Sequence, residues 1–197
     1  MDSKELTDYK KDLRREAYRV RESAWRADPD AGVALKRHLM ESVPIAPGIA
    51  VSGYWPLEGE IDVRPVLAAL DALGHPVGLP VVVAKGEPLR FRRWHPSDVM
   101  VMGSFKVLTP PEGAPDVIPQ VLLVPLLAFD PDGYRLGYGG GFYDRTLAKL
   151  RAAGHALAVG VAYAAQELAA VPRGPHDEPL DYVVTERAVF RFSDRKT

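Results

Sequence analysis

The chain has 197 residues, of which 47% are hydrophobic, and this is enough for one generous domain with a sizeable core. Its formal net charge of −1 argues against a protein that binds polyanions through its overall charge. The absence of cysteine excludes thiolate catalysis, disulfides and cysteine-ligated zinc.

Histidine spacing and apolar patterns argue against two further classes. The histidines are scattered without ligand spacing, which disfavours a histidine metal site: His38, His75, His95, His155 and His176. The chain begins with a charged stretch and has no apolar segment typical of a secretion signal. Its longest apolar run, 121–129, is far shorter than the about 20 residues that span a membrane. We therefore expect a soluble cytoplasmic protein with no membrane contact.

The order of predicted elements indicates the fold class. Helical periodicity predicts helices over 4–26, 31–43, 63–73 and 143–153, with a short helix over 165–169. Apolar or alternating runs predict strands over 48–55, 76–83, 89–94, 121–128, 157–163, 182–185 and 188–192, the last at an edge. Residues 95–120 are rich in Pro and Gly and predict an irregular excursion with short strands. Alternating strands and helices predict an α/β fold of three layers, α/β/α, with a mostly parallel, Rossmann-like central sheet in one domain over 1–197.

A glycine-rich loop precedes the helix over 143–153. Gly137, Gly139, Gly140 and Gly141 fall close together after the apolar run 121–129. Such a loop lets backbone N–H groups close on an anion, and the helix that follows adds its positive end. The same glycines could merely tighten a turn between a strand and a helix. Arg135 offers a planar fork of donors for phosphate, and we expect it to serve a ligand rather than the core.

Ligands of parallel sheets bind at the carboxyl ends of the strands. This rule places residues 55–60, the glycine loop and the segment after Tyr163 on one rim. We expect Asp62 to cap the next helix, whereas Glu60 has no such role and can accept N–H bonds from a heterocycle. Tyr54 and Trp55 offer a flat wall beside it, with ordinary core packing as the alternative.

The N-terminal helix carries a basic stripe. Lys10 and Arg14 are one turn apart and can grip a phosphate chain, and Tyr18 and Arg21 continue the stripe. A solvated basic face is the alternative. Contact with nucleic acid is a third interpretation, weakened by the balanced total charge.

Two aspartates are candidate metal ligands. Asp144 falls in the first turn of the helix that leaves the glycine loop, where the helix dipole alone favours a carboxylate. Beside a nucleotide, the same carboxylate can take one site on Mg²⁺. Asp181 is a second candidate, and the nearby pair His176-Asp177 has a turn role as its simplest interpretation.

A long motif resembles the 5-formyltetrahydrofolate cyclo-ligase family, also called methenyltetrahydrofolate synthetases. It reads Pro125-Leu-Leu-Ala-Phe-Asp130, then Gly133, Arg135-Leu-Gly137 and Gly139-Gly-Gly-Phe-Tyr-Asp-Arg145. The resemblance continues upstream at Lys10, Leu13-Arg14, Tyr54-Trp-Pro-Leu57, Glu60-Ile-Asp62, Gly78-Leu-Pro80 and Leu89-Arg-Phe91, and downstream at His176-Asp177 and Leu180-Asp-Tyr-Val-Val-Thr185. It therefore spans roughly residues 10 to 185 in the family's order.

The resemblance implies a fold with sugar-isomerase or CoA-transferase topology and a reaction that depends on ATP and Mg²⁺. ATP phosphorylates the formyl oxygen of 5-formyltetrahydrofolate, and N10 then attacks the activated carbon. Loss of phosphate gives 5,10-methenyltetrahydrofolate, with ADP as the second by-product. It further implies a monomer that acts on a small folate, with or without a polyglutamate tail, and not on nucleic acid.

Residue roles follow from the resemblance position by position. The nucleotide contacts it implies are Lys10, Arg14, Arg135, Leu136, Gly137, Tyr138, Gly139, Gly140, Gly141, Phe142 and Tyr143. The folate contacts are Tyr54, Trp55, Leu57, Glu60, Tyr138 and Tyr143, and the Mg²⁺ ligands are Asp144 and Asp181. Arg135 and Tyr143 are the implied catalytic residues.

The chain departs from the family at three positions. Some members carry basic residues where this chain has Tyr138 and Gly140, and many have glycine where it has Lys106.

Two other functions stay open. The same fold can act on another formyl or carboxylate compound, or can bind a nucleotide or folate without turnover.

Overall fold

The structure is a computed structural model that describes residues 3–154 and 156–192, so His155 lies outside the described residues. Its α-helices follow the four long predicted helical segments to within two residues: α1 (Ser3–Ala27), α2 (Ala31–Ser42), α3 (Arg64–Ala72) and α4 (Phe142–Ala153). Within the described residues, none of these helices is both long enough and apolar enough to cross a bilayer.

The start of α3 differs from the prediction by one residue. Val63 occupies the N-cap position and offers no side-chain hydrogen bond. Asp62 lies just before it, and its Oδ1 accepts the backbone N–H of Arg64 at 2.9 Å. Asp62 therefore still satisfies a free donor of the first turn, which is the reason an acid was expected there.

The strands are shorter than predicted. They are β1 (Val51–Ser52), β2 (Val77–Val81), β3 (Arg90–Arg93), β4 (Val101–Met102), β5 (Leu108–Thr109), β6 (Val121–Pro125), β7 (Ala128–Phe129), β8 (Arg135–Leu136), β9 (Leu157–Val161), β10 (Tyr182–Val184) and β11 (Val189–Arg191). Single 3₁₀ turns occur at Ser104–Lys106 and at Ala164–Gln166, the latter in place of the predicted helix over 165–169.

The central sheet has seven strands in the order β11-β10-β9-β6-β1-β2-β3. The five inner strands are parallel, because β1 pairs in parallel with β2 and β6, and β9 with β6 and β10. The two edge strands, β3 and β11, run antiparallel to their neighbours. This confirms the predicted mostly parallel sheet and the predicted edge strand near residue 190.

Helices cover both faces of the sheet, as its continuous apolar strands require. In β6, Val121 and Leu123 belong to a core that includes the buried leucines and valines of α2 and α3. Leu122 and Val124 point to the other face and join a core that includes Leu147 of α4. Alternate side chains of β6 therefore pack against the two helical layers on opposite faces of the sheet.

The predicted strand over 121–128 is divided into two elements. After Pro125 the chain leaves the sheet, and β7 pairs antiparallel with β8 in a separate hairpin. Gln166 stabilises the break, since its Nε2 donates to the carbonyls of Leu126 at 2.9 Å and Leu127 at 3.0 Å. Buried Asp130 orders the hairpin turn by accepting the N–H of Tyr134 at 2.9 Å. The glycine loop therefore leaves a hairpin strand and not a strand of the central sheet.

Candidate active site

Three segments meet at the carboxyl ends of the parallel strands. Tyr138 of the glycine loop donates a hydrogen bond to Glu60. Glu60 and Gln166 line the same narrow gap, together with Arg21 and Tyr54. The predicted rim, formed by residues 55–60, the glycine loop and the segment after Tyr163, is thereby confirmed.

The glycine loop has a backbone that side chains would disturb. Gly139 and Gly141 have φ angles of 94° and 64°, in the left-handed region that favours glycine. A Cβ at Gly139 would lie 3.3 Å from Cζ of Arg14. Gly141 is also the N-cap of α4, and among the described residues no side chain caps this helix. The first turn of α4 therefore presents free N–H donors and the positive end of the helix dipole to the rim.

The basic stripe of α1 lies against this loop. Arg14 donates from Nε to the carbonyl oxygen of Gly137 at 2.8 Å. Lys10 donates to Oδ2 of Asp177, which also accepts the N–H of Gly174 at 2.8 Å. Asp177 thus has both the expected turn role and an ion pair. Arg14 is held against the loop and Lys10 against Asp177, so neither is part of a freely solvated face.

Arg135 is more deeply embedded than expected. It is 8% exposed, and its Nη2 donates to Oδ1 of Asp144 at 2.6 Å. Its Nη1 donates to the carbonyl oxygen of Glu178, whose own N–H donates to the same Asp144 oxygen at 3.1 Å. Burial lowers the pKa of Arg135, and the charge of Asp144 opposes that shift. Arg135 therefore supports the fold and orients Asp144, in addition to any contact with a ligand.

The two predicted metal ligands do not lie together. Asp181 precedes β10 and so lies at the amino end of the strands, where its Oδ2 accepts Arg151 at 2.9 Å and the N–H of Ala158 at 2.7 Å. Arg151 follows Asp144 by seven residues on α4, a separation of about 10 Å along the helix. The structure thus differs from the expectation of one shared Mg²⁺ site, because a residue that precedes a parallel strand lies at the opposite end of the sheet from the glycine loop. Within 3–154 and 156–192, no three His, Asp or Glu residues cluster as a metal site.

Glu60 lies at the centre of a buried polar cluster and is 7% exposed. Its Oε2 accepts the N–H of Leu57 at 2.8 Å, and its Oε1 accepts the hydroxyl of Tyr138. Arg21 places Nη1 3.6 Å from Oε1 and donates to the Tyr138 hydroxyl. Burial raises the pKa of Glu60, and these hydrogen bonds and the charge of Arg21 oppose the shift. The sequence placed Arg21 on the basic stripe but did not predict its contact with Glu60.

The aromatic residues of the rim differ in burial and in their hydrogen bonds. Tyr54 is 4% exposed and donates to the carbonyl oxygen of Ile61 at 3.0 Å, so core packing describes much of its role. Trp55 is partly buried, with the guanidinium of Arg64 5.4 Å from its ring. The Tyr143 hydroxyl is buried and has no hydrogen-bond partner in the described part of the chain. Burial raises the pKa of Tyr143, so it stays a neutral phenol that can donate.

Three other residues predicted to contact the ligands, Leu57, Leu136 and Phe142, differ in burial and in neighbours. Leu57 is exposed, whereas the Leu136 side chain is fully buried and its carbonyl oxygen accepts the N–H of Leu127 at 2.8 Å. The ring of Phe142 lies 6.1 Å from that of exposed Phe105. Phe105 and Lys106 have φ angles of 56° and 60°. This left-handed turn explains the family's glycine at the position of Lys106, since glycine adopts it without strain.

Comparison with known proteins gives consistent matches. A model of the 5-formyltetrahydrofolate cyclo-ligase family matches residues 6–186. The 5-formyltetrahydrofolate cyclo-ligase of Escherichia coli (strain K12) is 34% identical over 171 residues, covering 83% of this chain and 92% of that protein. The one from Mycolicibacterium smegmatis is 34% identical over 151 residues, covering 71% of this chain and 75% of that protein. The NMR structure of Aquifex aeolicus 5,10-methenyltetrahydrofolate synthetase matches with a TM-score of 0.79 and 30% identity, covering 95% of each chain.

Proposed function

This chain belongs to the 5-formyltetrahydrofolate cyclo-ligase family, and from this premise we propose that it converts 5-formyltetrahydrofolate to 5,10-methenyltetrahydrofolate with ATP and Mg²⁺. One observation carries the proposal: Tyr138 belongs to the glycine loop and donates to Glu60. The loop suited to a triphosphate and the carboxylate suited to a pterin are therefore in direct contact. A phosphoryl transfer between two substrates requires such adjacent sites.

The residues of the loop fit a triphosphate. Gly139 and Gly141 keep side chains out of the loop, and the uncapped first turn of α4 offers N–H donors. Arg14 lies against the same loop and adds positive charge, and Lys10, one turn earlier on α1, pairs with Asp177. In this proposal Leu136 to Tyr143 surround the phosphates mainly through backbone groups, and the rings of Phe105 and Phe142 border the loop.

The residues also fit one Mg²⁺ beside the phosphates. Both protein contacts of Asp144 use Oδ1, so Oδ2 has no hydrogen-bond partner among residues 3–154 and 156–192. A carboxylate oxygen of this kind is a suitable Mg²⁺ ligand, and the remaining sites are usually filled by water and phosphate oxygens. Arg135 holds the carboxylate in place. Asp181, at the other end of the sheet, has no part in this proposed site.

Glu60 anchors the folate head group in this proposal. An ionised carboxylate has about four lone-pair positions, and protein donors take one on each oxygen. The positions that remain suit N–H donors of a pterin ring. Trp55 and Leu57 border the approach, and the Tyr143 hydroxyl can donate to an oxygen at the junction of the two substrates.

ATP would supply the phosphoryl group, and Mg²⁺ held by Asp144 would neutralise charge on the phosphate oxygens. The formyl oxygen takes that group and becomes a good leaving group. Attack of N10 on the formyl carbon closes the ring and releases the N10 proton, and departure of phosphate then forms the C–N double bond of the methenyl product. The chain's own residues bind, orient and exclude water, which is the main protein contribution to phosphoryl transfer.

The direct test incubates the purified chain with 5-formyltetrahydrofolate, ATP and Mg²⁺ and follows the absorbance of methenyltetrahydrofolate. We expect product only when all three are present, with ADP and phosphate formed in equal amounts. Binding of the folate without ATP consumption would instead support a binding protein. ATP turnover with another formyl or carboxylate compound, but not with this folate, would support a different substrate.

A further inference from the structure

A buried arginine lies beside Glu60 and has no role in the proposed reaction. Arg21 of α1 is 5% exposed, and its Nη1 lies 3.6 Å from Oε1 of Glu60. The same guanidinium donates to the Tyr138 hydroxyl and, from Nη2, to the carbonyl oxygen of Glu58 at 3.3 Å. Within the described part of the chain, Arg21 is the only ion-pair partner of Glu60.

Surrounding groups fix the position of this guanidinium. Its Cζ lies 5.3 Å from the centre of the Tyr18 ring and 5.6 Å from that of the Tyr138 ring. Gly59 has a φ of 83°, and a Cβ there would come within 3.5 Å of Nη2 of Arg21. Glycine therefore leaves room for the guanidinium beside the loop that carries Glu60. Burying two charges is costly unless they are paired, and here the Tyr138 hydroxyl links them by accepting from Arg21 and donating to Glu60.

We propose that Arg21 is a positioning residue that holds the Glu60 carboxylate ionised and correctly oriented for the folate head group. The inference rests on the proposed function, because the folate supplies the N–H donors that need this carboxylate. An ionised carboxylate only accepts hydrogen bonds, whereas a protonated carboxyl would present its own O–H to those donors. Burial raises the pKa of Glu60, the hydrogen bonds from Tyr138 and Leu57 oppose that shift, and Arg21 adds a positive charge that favours the accepting form and also holds the Tyr138 hydroxyl.

The other titratable groups that face Glu60 do not supply this charge. They come from α1, from the loop after β1, from the glycine loop and from α4, and all are tyrosines: Tyr18, Tyr54, Tyr138 and Tyr143. Burial raises the pKa of each, so all stay neutral near physiological pH. Arg21 is the one cation that faces Glu60 from these elements of the described chain, and Glu60 is the group whose charge changes on acidification.

The test compares Arg21→Gln and Arg21→Lys with a matched control, Arg19→Gln. Arg19 lies on the same helix but is exposed and pairs only with Glu16 at 3.4 Å among the described residues. We would measure KM for 5-formyltetrahydrofolate, kcat and the melting temperature from about pH 5.5 to pH 8.5. In Arg21→Gln the acidic rise of KM should move to higher pH by about one unit, which is the size expected for loss of one close opposite charge.

The sizes of the changes in KM, kcat and melting temperature show whether Arg21 positions Glu60 or only supports the fold. Near the acidic limb KM should rise about tenfold in Arg21→Gln, as a shift of one pH unit requires, while kcat at saturating folate changes much less. Arg21→Lys should restore most of the pH profile, and Arg19→Gln should match the wild type. A lower melting temperature and kcat in Arg21→Gln, without any movement of the acidic limb, would overturn the proposal.

A readout that does not need turnover keeps the inference separate from the proposed function. Carbon-13 NMR of the glutamate side-chain carboxyls, assigned with Glu60→Gln, reports the titration of Glu60 directly. In Arg21→Gln this titration should move to higher pH, and an unchanged titration would overturn the role of Arg21. If the wild type neither binds nor converts the folate, the proposed function fails, and the NMR comparison still decides whether Arg21 holds Glu60 ionised.

Discussion

The two halves of the candidate site are built in different ways. The half suited to a nucleotide is almost continuous in sequence, with the glycine loop, the first turn of α4 and Asp144 in succession. The half suited to folate joins Tyr138 to Glu60, 78 residues away, and to Arg21, 117 residues away. Backbone conformation and a helix dipole create the first, whereas buried charges and hydrogen bonds create the second. Substitutions should therefore affect ATP and folate separately in most cases.

The largest effect is expected for Asp144→Asn. This change keeps the shape of the side chain but removes the charge that would neutralise Mg²⁺, so kcat should fall by about 100-fold or more. The paired Arg135 is buried, and its loss of a counter-charge should also lower the free energy of unfolding by about 1–3 kcal/mol. Steady-state kinetics over a range of Mg²⁺ concentrations measure the first effect, and urea unfolding measures the second. An unchanged Mg²⁺ dependence would contradict the proposed metal ligand.

Glu60→Gln tests the folate half alone. The amide keeps one acceptor but turns the other toward the pterin as a donor, so KM for 5-formyltetrahydrofolate should rise by about 10- to 100-fold. KM for ATP should change little, because Glu60 meets the glycine loop at the hydroxyl of the Tyr138 side chain and not at the loop backbone. Comparable losses for both substrates would show that the two halves are not separable.

The sequence indicated the nucleotide half better than the folate half for a physical reason. The closely spaced glycines before a helix report a local backbone requirement, which the φ angles of Gly139 and Gly141 bear out. The contact of Arg21 with Glu60 depends on how α1 crosses the rim, and periodicity shows only that Arg21 shares a stripe with Arg14. The sequence also did not predict the break after Pro125, because the apolar run 121–129 continues from β6 of the sheet into β7 of the hairpin.

Gly139→Ala tests whether the backbone of the glycine loop binds the phosphates of ATP. Alanine at a φ of 94° costs about 1–2 kcal/mol of backbone strain, and its Cβ would press on Arg14. We expect KM for ATP to rise by about tenfold, as misplaced phosphate donors lose contacts worth about 1.4 kcal/mol. Gly74→Ala is the matched control, because Gly74 has a φ of 86° at the end of α3 and a Cβ there meets nothing within 4 Å. The control should lose stability alone, and an equal rise of KM for ATP in both variants would count against a phosphate loop.

The smallest effect is expected for Asp181→Asn. Asp181 pairs with Arg151 at the amino end of the strands and its side chain is 39% exposed, so the free energy of unfolding should fall by only about 1 kcal/mol or less. The Mg²⁺ dependence of turnover should stay that of the wild type. If the apparent Mg²⁺ affinity fell as far as in Asp144→Asn, Asp181 would have to approach the phosphates by a movement that this structure does not show.

The central claim is that one rim holds both substrates, with the Tyr138–Glu60 contact at their junction. A crystal structure with a non-hydrolysable ATP analogue, Mg²⁺ and 5-formyltetrahydrofolate tests it most directly. We expect a triphosphate across Gly139 to Gly141, the metal on Oδ2 of Asp144, and the pterin ring within hydrogen-bond distance of Glu60. A triphosphate bound away from α4, or a pterin that makes no contact with Glu60, would contradict it.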